Sequence, residues 1–295
     1  MFAGALGMED VYKIGDVNLD GSVDVNDVTD VQKRISSIAT LSPEGFDKAD
    51  TDYNHKINIK DATHIQKILV GLYTPLTGKK GVDISKFNGD VDIKKLKKAG
   101  YDFVMIRCGF GSDYAKQDDV KFENNVKKCE EAGMPWGVYL YSYAMSFREA
   151  ESEVDHVLRL LKDKKPTMPV AFDMEDADNY KSKRGMPSNA DLVEICRVFL
   201  DEISNAGYYP ILYANLNWLN TKLNDKTLLD SYDIWVAQWN TECNYKGKTL
   251  GLWQYGGETN YIESNTISGL NGIFDKDFCY KDYPLLIKNG HYNGW

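Results

Sequence analysis

The sequence contains no C-x-x-C pair, no block of Lys or Arg, no G-x-G-x-x-G and no phosphate-binding P-loop. It also has no apolar run approaching the roughly 18 residues that a membrane span requires. Each absence removes a class. Five scattered cysteines (Cys108, Cys129, Cys196, Cys243, Cys279) are an odd set and make no disulfide framework, so buried free thiols are expected. A net charge of −9 without a basic cluster argues against nucleic acid or an anionic membrane as partner. The missing glycine motifs weigh against an open, doubly wound nucleotide-binding sheet. Met1 to Met8 lacks the basic region and apolar core of a complete signal peptide, so residues 1–11 read as an N-terminal stub, left by secretion or by cloning.

What remains is ordinary in bulk and unusual in two places. A chain of 295 residues, 43% hydrophobic and 27% charged, has room for one large domain and one small one. Aromatics reach 12%, with nineteen Tyr and six Trp, a supply that suits stacking on flat ligands as well as filling a core.

The first unusual place is an internal repeat over 12–73. Asp16, Asn18, Asp20, Asp24 and Asp27 stand at positions one, three, five, nine and twelve of a loop. The same positions recur 34 residues later as Asp50, Asp52, Asn54, Asn58 and Asp61. Ser22 and Lys56 fall at position seven, where the backbone carbonyl is the donor. A hard cation takes six to eight oxygens, and this EF-hand-like spacing wraps them around one point, predicting two Ca2+ sites. Apolar residues then return at helical spacing (Val28, Val31, Ile35, Ile38; Ala62, Ile65, Leu69, Leu72), so two short helices are expected to bury those faces together. A core this thin leaves much of the stability to bound metal.

Pro75 and Gly78 mark residues 74–80 as a linker. From Gly81 strands and helices alternate. Strands are expected at 81–85, 102–108, 136–143, 168–175, 209–214, 233–238, 251–255 and 272–276. Helices are expected at 91–99, 122–132, 147–161 and 190–206, three of them ending at Ala-Gly. Eight strands in repeated β-then-α units predict a closed parallel barrel over 81–288, irregular after the fifth strand, with a short tail at 289–295.

The second unusual place is the run Val170-Ala-Phe-Asp173-Met-Glu175-Asp176, a buried strand that ends in carboxylates. Side chains alternate along a strand, so Asp173 and Glu175 share a face and Met174 takes the other. Mutual repulsion pushes one of the pair to keep its proton near neutral pH, as a general acid needs. Barrel chemistry gathers at the C-terminal strand ends. Reading those ends adds Asp83, Tyr139, Tyr141, Tyr143, Tyr213, Gln238, Trp239, Gln254, Tyr255 and Asp275. Carboxylates ringed by aromatics suit glycosidic cleavage.

Both halves resemble known families. Residues 12–73 resemble a dockerin, with Asp27 and Asp61 at loop position twelve. That resemblance implies calcium binding and a cohesin module of a scaffold protein as partner. Recognition would lie at Val25-Asn26 and Ile59-Lys60; the pairs differ, so the two faces are not expected to be interchangeable. His55, in place of the usual Gly, and the N-terminal placement are departures. Residues 81–285 resemble the family 25 glycoside hydrolases, through Gly81-Val-Asp83-Ile-Ser85, Gly137–Tyr143, Phe172–Asp176, Ile211-Leu-Tyr213, Ile234–Trp239, Leu252–Tyr255 and Phe274-Asp275.

The second resemblance implies a secreted lysozyme that cleaves the β-1,4 bond between N-acetylmuramic acid and N-acetylglucosamine in peptidoglycan with retention. Glu175 would be the acid/base, Asp173 would assist it or orient the substrate acetamido group, and Asp83 and Asp275 would complete the acidic cleft. Tyr139, Tyr141, Tyr213, Gln238, Trp239 and Gln254 would contact substrate, and catalysis would need no cofactor. Leu140 departs from the His common in the family. The alternatives are a glycosidase for chitin-like glycans and a non-catalytic wall-binding docking protein.

Overall fold

The computed structural model describes residues 14–51, 56–70 and 79–295. The chain divides between residues 78 and 79 into two units. In the first, α1 (Val25–Ile35) and α3 (Ile59–Leu69) start alike, because the repeat dictates the same cap twice. Position nine (Asp24, Asn58) is the N-cap, and the position-twelve carboxylate reaches back to that cap's N–H, closing a capping box.

Between the two, Ser42-Pro43 starts α2 (Pro43–Ala49), a helix the apolar spacing did not announce. Val17, Val28, Val31, Ala49, Ala62 and Ile65 form the core. Ile35, Ile38 and Leu69, expected inside, are 39%, 75% and 38% exposed. Of the two stripes only Val28 and Val31, and Ala62 and Ile65, are buried among the described residues; Leu72 lies outside the described residues.

The second unit is a closed barrel of eight strands in sequence order. They are β1 (Lys79–Ile84), β2 (Phe103–Phe110), β3 (Trp136–Tyr141), β4 (Val170–Asp173), β5 (Pro210–Asn215), β6 (Asp233–Ala237), β7 (Leu250–Gly256) and β8 (Asp275–Cys279). Lys79 and Lys80, read as the end of the linker, pair in β1 with Cys279 and Phe278. Around the strands lie α4 (Ile93–Lys98), α5 (Phe122–Ala132), α6 (Phe147–Leu161), α7 (Asn189–Asn205), the short α8 (Leu216–Asn220) and α9 (Lys226–Ser231), and α10 (Tyr283–Asn289). The Ala-Gly helix ends behave as expected: Gly100, Gly133 and Gly207 have φ of 89°, 58° and 86°, a backbone that glycine adopts without strain.

Strand alternation sorts the core into two layers. Val82, Ile106, Val138, Leu140, Phe172, Met174 and Leu212 face the helices, and Phe172 stacks on Phe199 of α7 at 4.1 Å. Met105, Ala171, Ile211, Tyr213, Trp235 and Leu252 fill the barrel interior. Leu140 thus faces away from the interior, and the family departure noted at that position falls outside the cavity. The tail is not loose: Asn293 is fully buried and its amide donates to the carbonyls of Pro166 (2.9 Å) and Met168 (3.2 Å).

One expectation is corrected. The barrel is not all parallel: β8 runs antiparallel to both β7 and β1. The segment between β7 and β8 has no helix, although β6 and β7 pair in parallel across a helix-free connection as well, so the missing helix alone does not set the direction. With β8 reversed, Asp275 opens it instead of closing it, and pairs with Asp83 in β1.

Candidate active site

The reversed strand places the acids together. A cavity of about 120 Å³ at one barrel rim is lined by Asp83, Asp173, Glu175 and Asp275 with Arg107, Tyr139, Tyr141, Tyr213, Trp235 and Gln254. Asp173 is the last residue of β4, and Glu175 lies just beyond it. The strand pattern nonetheless persists, since Met174 donates its N–H to the carbonyl of Tyr213 at 3.0 Å and stays buried against the helices. Asp173 and Glu175 thus face the same cavity, as the alternation predicts.

Gln254 organises the floor. Its Nε2 donates to Asp83 at 2.8 Å, and its Oε1 accepts from the Tyr213 hydroxyl and from Trp239 Nε1, each at 3.2 Å. One amide ties β1, β5, β7 and the segment after β6. Gly257 makes room for the rim: a Cβ there would stand 2.1 Å from Asp275 Oδ1 and 2.6 Å from the Trp239 ring. Gln238 does not reach the cavity. Its Oε1 accepts the Asn244 N–H at 2.8 Å, so its side chain closes a turn instead.

Burial sets the proton affinities. It holds Glu175 up at about 7, opposed by Lys181 and reinforced by the charges of Asp275, Asp178 and Asp176. Asp275 is raised to about 6 by burial and by Glu258. Asp83 is pushed well up by burial and Asp275, against hydrogen bonds from Gln254 and Tyr139. Asp173 is pushed up by burial and Glu175, against Lys181. All four carboxyls are thus shifted upward, and Glu175 and Asp275 are the two partly open to solvent. Asp173 Oδ1 and the Tyr141 hydroxyl are buried in the cavity wall without a hydrogen-bond partner.

Four residues of the site were not singled out from sequence. Arg107 stands in an otherwise apolar strand and is ion-paired to buried Asp119 at 2.7 Å. Trp235 donates Nε1 to Asp277 at 2.8 Å, and Asp277 is itself buried and shifted upward by burial and by Asp83. Asp277 follows Asp275 by two, the same alternation that linked Asp173 to Glu175. Lys181 carried no pattern at all. A larger groove of about 380 Å³ shares Arg107 and Tyr141 with the acid cavity and continues along Phe87, Phe110, Tyr143 and Asp178.

In the N-terminal unit, Asp27 Oδ1 accepts from the N–H groups of Val17 (2.7 Å) and Asn18 (3.1 Å). Asp16 accepts from Asp20 and Gly21, at 3.1 and 3.0 Å. The second copy repeats the clamp: Asp61 Oδ1 accepts from the Thr51 N–H at 3.0 Å. Asp24 and Asn58 cap helices, and Lys56 offers its carbonyl. Asp52 and Asn54 lie outside the described residues. Among the described residues no three His, Cys, Asp or Glu side chains converge on one point. Burial raises the proton affinity of Asp27, against three backbone N–H bonds from Asp24, Asn18 and Val17, and Asp16 adds to the rise.

The second unit is a closed barrel with four carboxyls gathered at one rim, an arrangement suited to hydrolytic chemistry. The chain belongs to family 25 of the glycosyl hydrolases, whose profile matches residues 82–263. Residues 14–70 match the type I dockerin domain, a class that generally binds calcium. The autolytic lysozyme of Clostridium acetobutylicum is 25% identical over 199 residues, 67% of this chain and 55% of the relative. The chain thus spans about half the length of that curated relative. The modular autolysin LytC of Streptococcus pneumoniae, solved in complex with a synthetic peptidoglycan ligand, is 26% identical with a TM-score of 0.60, covering 69% of this chain and 47% of that one. The bacterial lysozyme of Streptomyces coelicolor shares the fold at 20% identity and a TM-score of 0.59, over 72% of this chain and 98% of its own.

Proposed function

We propose that the barrel is a muramidase, hydrolysing the β-1,4 bond from N-acetylmuramic acid to N-acetylglucosamine in peptidoglycan. The observation that carries this reading is Glu175, held near a pKa of 7 at the mouth of a cavity walled by three further carboxyls. Glu175 gives its proton to the glycosidic oxygen as the bond to the anomeric carbon breaks. The positive charge developing there is met by the acidic wall of Asp83, Asp173 and Asp275, of which Asp275, raised only to about 6, is ionised at neutral pH. Asp173, with one buried oxygen unpartnered, orients the acetamido group whose oxygen closes on the anomeric carbon. Water, deprotonated by Glu175, then opens that intermediate, and the configuration is retained. Tyr141, Trp239 and the aromatic groove offer faces for sugar rings.

The N-terminal unit would dock this enzyme, secreted to the cell surface, onto a cohesin of a scaffold protein. In support, the loop-position-ten residues Val25 and Ile59 are 67% and 62% exposed and so open to a partner. Ca2+ would be held by Asp16, Asn18, Asp20, Asp27 and the Ser22 carbonyl in the first loop. In the second, Asp50, Asp52, Asn54, Asp61 and the Lys56 carbonyl would hold it, with Asp24 and Asn58 at position nine. The hard-oxygen donors at this spacing, with Asp16 close enough to raise the proton affinity of Asp27, fit such an ion.

Product analysis of digested peptidoglycan tests the enzyme reading. Muramic acid at the new reducing ends is expected. N-acetylglucosamine there, or turnover of chitin oligomers alone, would refute it.

A further inference from the structure

We propose that Lys181 is a positioning residue for Glu175: its buried ammonium ties the backbone carrying the acid to the end of β3 and faces that acid with the balancing positive charge. The proposal rests on the glycosidase reading of the rim. Lys181 lies in the loop after β4 and is fully buried. Its Nζ donates to the carbonyl of Glu175 at 3.0 Å and, by a very short bond, to the carbonyl of Ser142. A buried ammonium is ordinarily kept by a carboxylate in direct contact. Here backbone carbonyls hold it, one of them belonging to the proposed acid.

The loop is shaped to deliver that contact. Asp176 accepts the Lys181 N–H at 2.6 Å and the Ser182 N–H at 3.0 Å, folding the chain so that Nζ returns beneath Glu175. The groups facing Lys181 are Glu153 from α6, Asp173 from β4, Asp176 from its own loop and the Cys196 thiol from α7. Those facing Glu175 are Asp173 and Asp83 from the cavity wall, Asp275, Asp178 and Asp176, with the hydroxyls of Tyr141 and Tyr213. Burial and these carboxyls raise the proton affinity of Glu175; Lys181 opposes them, and the balance lies at about 7. Glu175 can then act as acid in one step and base in the next at neutral pH.

The sign follows. Activity that needs protonated Glu175 falls as pH rises through its pKa. Removing the ammonium raises that pKa, so the descending limb moves to higher pH. The test measures turnover of peptidoglycan against pH for the full chain, for Lys181→Met and for Lys181→Gln. In both variants the alkaline limb of kcat/KM is expected about one pH unit higher, with KM on the plateau within about twofold. A lower kcat with an unmoved limb would make Lys181 a mere strut and overturn the proposal. Should neither variant fold, Glu153→Gln reads the coupling from the far side. Losing that carboxylate strengthens the ammonium's hold on Glu175, so the limb moves down; a fixed limb there overturns the proposal as well. A native chain that turns over no peptidoglycan at any pH would refute the muramidase reading first, and this proposal with it.

Discussion

Replacing Glu175 with Gln should destroy activity and stabilise the fold at the same time. The side-chain oxygens of Glu175 engage no donor among the described residues, so the amide, of nearly the same shape, forfeits no hydrogen bond of the native state. Without a proton to give, cleavage should slow about 10²–10⁴-fold, or about 3–5 kcal/mol in the barrier. Stability moves the other way. In the folded chain Glu175 titrates near 7, against 4.5 for an unperturbed Glu. Below the lower value both states are protonated and no penalty exists. Between the two values the unfolded chain ionises while the folded one holds its proton, so the fold loses stability as pH rises. Above 7 the loss is complete.

The full shift corresponds to an upper bound of about 3 kcal/mol, and partial solvent access reduces it to about 1–2 kcal/mol. Thermal unfolding of Glu175→Gln should therefore match the native chain at pH 4 and exceed it by about 2–8 °C at pH 8. Clearing of a peptidoglycan suspension reads the other half. Retained activity would remove Glu175 from its role; a lowered unfolding temperature at pH 8 would refute the account of why its proton is held.

Other parts of the structure can be tested as directly. Gln254→Leu removes the amide shared by Asp83, Tyr213 and Trp239 and leaves buried polar atoms unpaired. A loss of about 2–4 kcal/mol in chemical denaturation, with activity down at least about tenfold, is expected. Chelation should lower the unfolding temperature of the N-terminal unit while the barrel's transition stays put; differential scanning calorimetry with EGTA would expose an equal shift of both. The five cysteines carry no disulfide, and burial raises all their thiols to about 11 or above, so a thiol reagent at pH 8 should count five groups only after denaturation. A rapid reaction of the folded chain would contradict that burial.

What was legible in the chain is what short-range rules govern. The barrel's helices and strands follow from periodicity and from glycine caps, and α5 and α6 fall on 122–132 and 147–161, the ranges the spacing predicts. The pairing of Asp173 with Glu175 follows from strand alternation alone. What escaped depends on long-range geometry. Gln238 and Gln254 look alike in sequence, each before an aromatic at a strand end, yet one closes a turn and the other bridges four segments. Arg107, Trp235 and Lys181 belong to the site because of partners 12 to 42 residues away, which no local pattern encodes. Ile35, Ile38 and Leu69 kept the right period but lacked a surface to cover them.

The direction of β8 decides whether the rim can work. In an all-parallel barrel the residue entering a strand lies at the far end from the chemistry, and Asp275, the first residue of β8, would be stranded there. Because β8 is reversed, its first residue meets the rim and pairs with Asp83, while Asp277 points inward one layer deeper, against Trp235. The reversal also concentrates acid: Asp83, Asp275 and Asp277 repel one another and all hold protons more tightly than free carboxyls. Such crowding is unfavourable for the empty fold. It turns favourable only when positive charge arises between those groups, as it does at an anomeric carbon losing its leaving oxygen.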